Sequence, residues 1–309
     1  MALNEILRSN ATATIPVEYA REIFDGVAQE SIALKLMTRL PDMTAKQYRI
    51  PVASSLPMAY FQNATETRDA DTTHKKTSKM EWEGKFVEAE EIAVIIPIAE
   101  NVLADSQYDL IGAITPKVVE AFGRVFDSAV FFGTNKPASY PNGIIVDAVA
   151  KGREYQAQAG DSVYTQISET MAKVEESGYD VNGIVGGASL KHLLRGLVDA
   201  NGQPLLAFTE VSALPRYTMK NGGWTGTNST AKFVVGDFSQ AVYSIRQDLT
   251  VKLLDQATIK DPSTGEEINL AQQDMVALRF VMRIGWQVPN PVNAIDGTTS
   301  RYPFAVCHD

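Results

Sequence analysis

The pattern of apolar and polar residues divides the chain into strand-like and helix-like segments around one long polar stretch. Within residues 62–79 the only apolar side chains are Ala64 and Ala70. A segment with so little apolar surface cannot offset the entropy lost on ordering inside its own domain. Strand-like runs nevertheless flank it, over residues 48–52 and 86–98. The pattern therefore predicts two strands joined by a long polar turn, as a projecting hairpin.

The predicted hairpin arm, over residues 62–91, is long enough to reach beyond its own domain. Limbs of about 10 to 15 residues, at roughly 3.3 Å per residue, carry the tip about 30 to 50 Å from the body. An arm of that length is expected where a neighbouring subunit receives it. A disordered surface loop is the alternative interpretation of the same residues.

The strongest helical pattern covers residues 106–132. Its apolar residues recur at steps of one, three and four, and they are Val118, Val119, Phe122, Val125, Phe126, Ala129 and Val130. This spacing predicts a single buried stripe. Pro116 predicts either a kink or the first turn of the longer half with Thr115 as its cap, and Gly133 predicts the end of the helix.

Other segments give shorter elements. Residues 1–44 are a polar leader followed by a helix over 17–37, in which Ile32, Leu34 and Leu36 shift towards an extended pattern. The later predictions are a helix from 163 capped by Asp161 or Ser162 and closed at Gly178, a strand at 184–185, a helix at 188–198, strands at 233–235, 241–245 and 249–254 with a turn at 247–248, and a long strand at 274–288.

Composition narrows the range of partners. A net charge of −9 and a pI near 5.0 argue against a surface that grips phosphates. The N-terminus lacks the apolar core of a signal peptide, and no window approaches 18 uninterrupted apolar residues, so no membrane span is predicted. The single cysteine, Cys307, excludes an intrachain disulfide framework and indicates a reducing compartment.

The residues that could carry chemistry form no catalytic constellation. His74, His192 and His308 have no partner at metal-ligand spacing, and no phosphate-binding loop or nucleophile elbow occurs. Residues 183–187 faintly resemble a phosphate cradle, but a tight strand-to-helix turn explains them better. The glutamates at 88–91 are best explained as a solvated face. We therefore predict no catalytic, cofactor-binding or metal-binding residue and no enzymatic activity.

Several strings, in order along the chain, carry a resemblance to a known family. They are Ile15-Pro16-Val17-Glu18, Arg49-Ile50-Pro51, Ile96-Pro97-Ile98 leading into Leu103-Ala104-Asp105-Ser106, Phe131-Phe132-Gly133-Thr134 with Pro141-Asn142-Gly143-Ile144, Asp199-Ala200-Asn201-Gly202-Gln203-Pro204-Leu205, Val235-Gly236-Asp237-Phe238 and Asp274-Met275-Val276-Ala277-Leu278-Arg279. Together they resemble the major capsid proteins of tailed bacteriophages, the family with the Hong Kong 97-type fold.

The resemblance implies an α+β fold with an N-terminal arm, an extended hairpin loop, a peripheral domain with a long spine helix, and an axial domain. It divides the chain into residues 1–44 for the arm and first helix, 45–98 for the extended loop and its base strands, 99–144 for the peripheral domain with the spine helix, 145–250 for the axial domain, 251–288 for strands that return to the peripheral domain, and 289–309 for a C-terminal segment that rejoins the axial domain. With Met1 fifteen residues before the matching region, we expect no cleaved scaffolding segment.

The function that the resemblance implies is structural. The chain is expected to self-assemble into pentamers and hexamers of an icosahedral shell that encloses double-stranded DNA without sequence-specific binding. Portal, scaffolding and decoration proteins are the expected partners, with assembly in the host cytoplasm and the virion capsid as destination. The alternatives are a cellular nanocompartment shell similar to the encapsulins and, more remotely, an α/β hydrolase or transferase. No cofactor is expected in any shell.

Covalent crosslinking between subunits, which a few relatives perform, is not expected here. Lys75, Lys76 or Lys79 could supply the amine, but the resemblance also requires a glutamate just before Arg283 to accept its proton. Residues 280–282 are all apolar. We predict that assembled particles dissociate fully to 33.7 kDa chains in denaturing gels. A ladder of covalent oligomers in the gel would contradict this.

Overall fold

The computed structural model describes residues 31–59, 77–105, 110–196, 214–219, 223–224, 231–260, 265–295 and 300–308. The helices described are α1 Ile32–Leu36, α2 Glu100–Asp105, α3 Leu110–Phe132, α4 Ile144–Ala150, α5 Val163–Glu175 and α6 Ala188–Arg195. The strands described are β1 Thr38–Arg39, β2 Gln47–Ala53, β3 Trp82–Glu88, β4 Glu90–Ala99, β5 Glu154–Gln156, β6 Gly183–Gly186, β7 Arg216–Thr218, β8 Ala231–Gly236, β9 Val242–Leu254, β10 Thr258–Lys260, β11 Glu267–Asn269, β12 Met275–Gln287 and β13 Phe304–His308.

A four-stranded sheet in the order β1-β9-β12-β4 forms one half of the described fold. Strand β12 pairs antiparallel with both β4 and β9, and β1 pairs parallel with β9. The even-numbered residues of β12, including Phe280, Met282 and Trp286, are fully buried in the main apolar core. The odd-numbered residues therefore point to the opposite face, which we call the outer sheet face.

A five-stranded sheet in the order β5-β13-β8-β6-β7 forms the other half. Strand β13, near the end of the chain, pairs parallel with β5 and antiparallel with β8, so distant segments meet there. Helices α4 and α5 both contact β13. Separate helix and sheet segments around largely antiparallel sheets confirm the predicted α+β class.

Helix α3 largely confirms the predicted spine helix. Its buried residues lie in the same core as the even face of β12, and Gly133 ends it with φ at 67°. Two details were wrong. Val125 is 48% exposed and does not belong to the buried stripe. Pro116 lies inside a helix that begins at Leu110, so Thr115 is not its cap. Residues 106–109 of the predicted helix lie outside the described residues.

Strand β9 corrects the prediction of two strands separated by a turn at residues 247–248. The strand is continuous, but its pairing with β12 shifts register near Arg283 because β9 carries extra residues there. Bulges of this kind leave polar residues unpaired along a strand. Gln247 and Asp248 therefore looked like a turn in the sequence, although the chain keeps its direction.

Two further boundaries differ from the prediction. Ile32, Leu34 and Leu36 do not continue as an extended segment, because Ser31 caps a new short helix through its side chain. The run predicted as one strand over 86–98 is two strands, β3 and β4, broken at the fully buried Ala89.

The remaining predictions agree with the described elements. Ser162 caps α5, Gly178 follows it with φ at 78°, and the strands predicted at 184–185, 233–235 and 274–288 are present as β6, β8 and β12. The helix predicted over 188–198 is confirmed as far as Arg195. The polar tip of the arm, residues 60–76, and the helix predicted before Ser31 lie outside the described residues.

Asp127 on α3 is a buried carboxylate that fastens α1 to the spine helix. It accepts hydrogen bonds from the Ser31 hydroxyl at 2.6 Å and from the backbone N–H groups of Ile32 and Ala33, each at 3.0 Å. Burial raises the pKa of Asp127, and these three donors oppose the rise. The bonds satisfy the otherwise unpaired N–H groups at the first turn of α1.

Replacing Asp127 by Ala should destabilise the chain by about 3 to 5 kcal/mol, because three buried donors lose their acceptor. Asp127→Asn keeps one acceptor oxygen, so its effect should be clearly smaller. The free energy of unfolding, measured by urea denaturation, checks both variants. Equal stability of Asp127→Ala and the wild type would contradict the anchoring role.

Candidate assembly surfaces

The hairpin formed by β2 and β3 carries exposed aromatic residues on one face. Trp82 is 61% exposed and Phe86 is 48% exposed. Directly opposite them on β2 lie Ala53 and Arg49. Since directly opposed residues of an antiparallel pair share a face, these side chains form one surface. We call it the aromatic face of the hairpin, defined by Arg49, Trp82 and Phe86.

Gly84 completes the aromatic face, midway between Trp82 and Phe86 on β3. A Cβ atom at Gly84 would collide with the guanidinium of Arg49, so the arginine side chain lies across the glycine. This places a cation between the two exposed aromatic positions. Trp, Arg and aromatic side chains of this kind are the residue types that dominate protein–protein interfaces.

The opposite face of the hairpin packs onto the body. Val87 is fully buried in a small apolar cluster with Met43 and Ala89, and Ile50 packs against that cluster. The hairpin is also held to β12, because the Gln287 side chain donates a hydrogen bond of 3.0 Å to the Phe86 carbonyl. One face of the hairpin is thus committed to the chain, and the aromatic face is left free.

Gly285 on β12 lets the base of the hairpin lie on the outer sheet face. A Cβ atom at this position would collide with the carbonyl of Glu88 and would lie 2.8 Å from the Val87 side chain. Only a residue without a side chain permits this close approach of two backbones. The arm therefore leaves the body from the Gly285 end of the outer sheet face.

Further along the outer sheet face, residues from three strands form rows. The register aligns Ile95 of β4 with Arg279 of β12 and Lys252 of β9. Ile95 is 42% exposed and Lys252 is also exposed. This part of the sheet is therefore an accessible surface with adjacent cationic and apolar groups.

The glutamates at 88–91 do not act as a pair. Glu90 accepts a hydrogen bond from the Ser139 hydroxyl at 2.8 Å and lies 3.3 Å from the Lys46 ammonium. The Ser139 hydroxyl, followed by Lys46, lowers the pKa of Glu90. Glu88 instead accepts a bond of 2.7 Å from Gln47. Each of these two carboxylates has its own polar partner, as expected of a structural surface.

The histidines and the glycine-rich turn are not brought together. His192 is exposed on α6, and His308 lies 3.8 Å from Glu154 in the other sheet edge, while His74 is outside the described residues. The turn at 183–187 is a strand-to-helix turn, and a Cβ atom at Gly187 would meet the ring of Trp224 at 3.1 Å. An indole ring thus occupies the side of the turn where a phosphate would need space.

Searches for two other kinds of site give negative results within the described ranges. No cluster of three or more His, Cys, Asp or Glu residues there could hold a metal ion. No helix in the same part of the chain is long and apolar enough to cross a membrane. Cys307 is a free, fully buried cysteine on β13.

Comparison with known proteins identifies the family. The model of the phage capsid family matches residues 11–297. The chain belongs to the phage capsid family. The major capsid protein of Staphylococcus phage 80alpha is 23% identical over 292 residues, which cover 92% of this chain and 85% of that protein.

Solved structures agree with the family assignment. A chain from Microbacterium phage Oxtober96 is 37% identical with a TM-score of 0.78, covering 90% of this chain and 91% of that one. A chain from Mycobacterium phage Bobi is 30% identical with a TM-score of 0.77, covering 98% of both. The Hong Kong 97-type capsid fold predicted from the sequence is confirmed. As a phage capsid protein, the chain is a structural component of the virion and not an enzyme.

The aromatic face was not found by sequence reasoning, although a signal for it was present. Trp82 and Phe86 are four residues apart in a segment that alternates with charged residues, so both fall on one side of a strand. That alternation predicts an apolar face. It does not tell whether that face points to the core, which only the packing of Val87 on the other side decides.

Proposed function

We propose that this phage capsid protein is the major shell subunit, which self-assembles into pentamers and hexamers of an icosahedral head around double-stranded DNA. The exposed aromatic face of the hairpin is the observation that carries the proposal. A folded chain that leaves Trp82 and Phe86 in water needs a partner surface to cover them. The partner is a neighbouring copy, because a shell of one chain type is built from repeated heterologous contacts.

The two sheets support a division of labour within the subunit. We assign the four-stranded sheet with α3 to the peripheral domain and the five-stranded sheet to the axial domain. Since β9 pairs throughout with β12, the boundary near residue 241 fits better than the one expected at 250. The hairpin of β2 and β3 is the base of the extended loop that reaches a neighbour. Portal, scaffolding and decoration proteins remain expected partners, with assembly in the host cytoplasm.

Electron microscopy of the purified protein tests the proposal. We expect closed heads, with capsomers or shells in size-exclusion chromatography with light scattering. Small shells filled with protein cargo would favour the nanocompartment alternative. A stable monomer at high concentration and physiological salt would overturn the proposed function.

The aromatic face gives a sharper prediction. The double variant Trp82→Ser/Phe86→Ser should lose most head formation. Its free energy of unfolding should change by less than about 1 kcal/mol, because both side chains are largely in water in the single chain. Tyr164→Ser, which truncates an exposed aromatic residue on α5, is the matched control. Particle yield by electron microscopy and urea denaturation measure the two effects separately.

A normal yield of heads from Trp82→Ser/Phe86→Ser would show that the aromatic face makes no essential contact. A large loss of stability in the same variant would show instead that these residues support the fold of their own chain. The expected result is loss of assembly with the fold retained.

A further inference from the structure

The outer sheet face carries a cationic pair that its own chain leaves without a counterion. Arg279 and Lys252 are directly opposed on neighbouring strands, so their side chains rise from adjacent positions on one surface. Within the described residues, no ion pair joins either side chain to a carboxylate. Two like charges at adjacent positions repel each other unless an anion lies between them.

The guanidinium of Arg279 also lacks a hydrogen-bond acceptor. Its Nε atom is buried, and it has no partner among the described residues. A buried donor without an acceptor costs about 1 to 3 kcal/mol, so such a group is usually satisfied by some other molecule. The Nε of Arg283 is in the same condition, but Glu91 lies directly opposite it on β4. The uncompensated charge is therefore centred on Arg279 and Lys252.

The neighbours of this pair favour a protein ligand. Ile95 completes the row on β4, and the exposed Ala93 and Pro97 lie two residues to either side of it on the same face. A partner must therefore bring carboxylates to the cations and some chain to cover the apolar strip. Nucleic acid would bring phosphate, but two cations beside an apolar strip are a small site for a phosphate backbone.

The sequence contains one segment with the complementary charge at the tip of its own arm. Residues 66–71 carry the carboxylates Glu66, Asp69 and Asp71, whereas the lysines of the arm lie after them at 75, 76 and 79. This acidic half of the arm has the residue types that an arginine fork and an ammonium bind. The arm leaves its own body at the Gly285 end of the outer sheet face, six residues along β12 from Arg279, or about 20 Å.

We propose that Arg279, Lys252 and the apolar strip of Ile95 are the receiving site for the acidic segment 66–71 of a second copy. The proposal rests on the proposed assembly function and names the surface that accepts the arm. The carboxylates supply the missing acceptor of Arg279 and separate its charge from that of Lys252. Each arm is thereby held in register on its neighbour by charge as well as by the aromatic face at its base.

A mixed-chain disulfide experiment tests which copy supplies the segment. One chain carries Asp71→Cys, a second chain of different length carries Lys252→Cys, and the two are assembled together under mild oxidation. A covalent heterodimer in non-reducing gels is expected, and each variant alone should give none through the new cysteine. If both cysteines in one chain join within that chain and mixed particles give no heterodimer, the site receives its own arm. That result, or no disulfide in either arrangement, overturns the proposal.

Charge reversal tests the energetics without a covalent bond. Lys252→Glu is exposed and should fold normally, yet it should lower the yield of heads about tenfold at low salt. Adding Asp71→Lys to the same chain should restore the yield. Lys260→Glu, which makes the same charge change on the exposed strand β10, is the matched control and should assemble as the wild type does.

The outcomes separate this proposal from the one on which it rests. A wild-type chain that forms no shells overturns the proposed function itself. Normal assembly of Lys252→Glu overturns only the receiving site, as does a double variant that is not restored. If Lys252→Glu assembles normally but loses binding of a double-stranded DNA oligonucleotide, the face binds nucleic acid and the proposal is likewise overturned.

Discussion

One continuous apolar core joins the buried stripe of α3 to the even-numbered face of β12, and the remaining elements are organised around that contact. Burial of aromatic and aliphatic side chains such as Phe126, Phe280 and Trp286 drives the association. The same core extends to Phe304 of β13 and Val234 of β8, so both sheets share it. Asp127 then attaches α1 to the outer side of the helix through three hydrogen bonds. Because the helix and the central strand are fixed in this way, the odd-numbered face of β12 is left available for other contacts.

The parts of the fold that could be predicted are those whose periodicity is dictated by a single buried face. Helix α3 shows its stripe because its apolar residues recur at helical spacing, and β12 shows a long run without turn signals. Strand β9 could not be predicted whole, because its bulges place Gln247 and Asp248 where a turn would have similar residues. Ser31 also looked like part of a longer segment, since the acceptor that stabilises its helix, Asp127, lies 96 residues away.

The assembly surfaces were accessible to sequence reasoning only in part. The polar arm was predictable because its composition cannot support burial within its own domain. The aromatic face and the cationic pair were not, since each depends on which strands become neighbours. Arg279 and Lys252 are 27 positions apart in the chain and become adjacent only through the shifted register of β9 and β12. Surface charge patterns of this kind are properties of strand order, and strand order is a long-range result of packing.

The missing side chain at Gly285 has a mechanical consequence. The backbone of the hairpin base touches the backbone of the central strand there, with no flexible side chain between them to absorb displacement. A force that a neighbouring subunit applies to the hairpin therefore loads β12 directly, and through it the core shared by both sheets. The subunit responds as a stiff lever whose fulcrum is this contact. Tension in a shell is then carried from chain to chain along backbones, which resist stretching far better than side-chain contacts do.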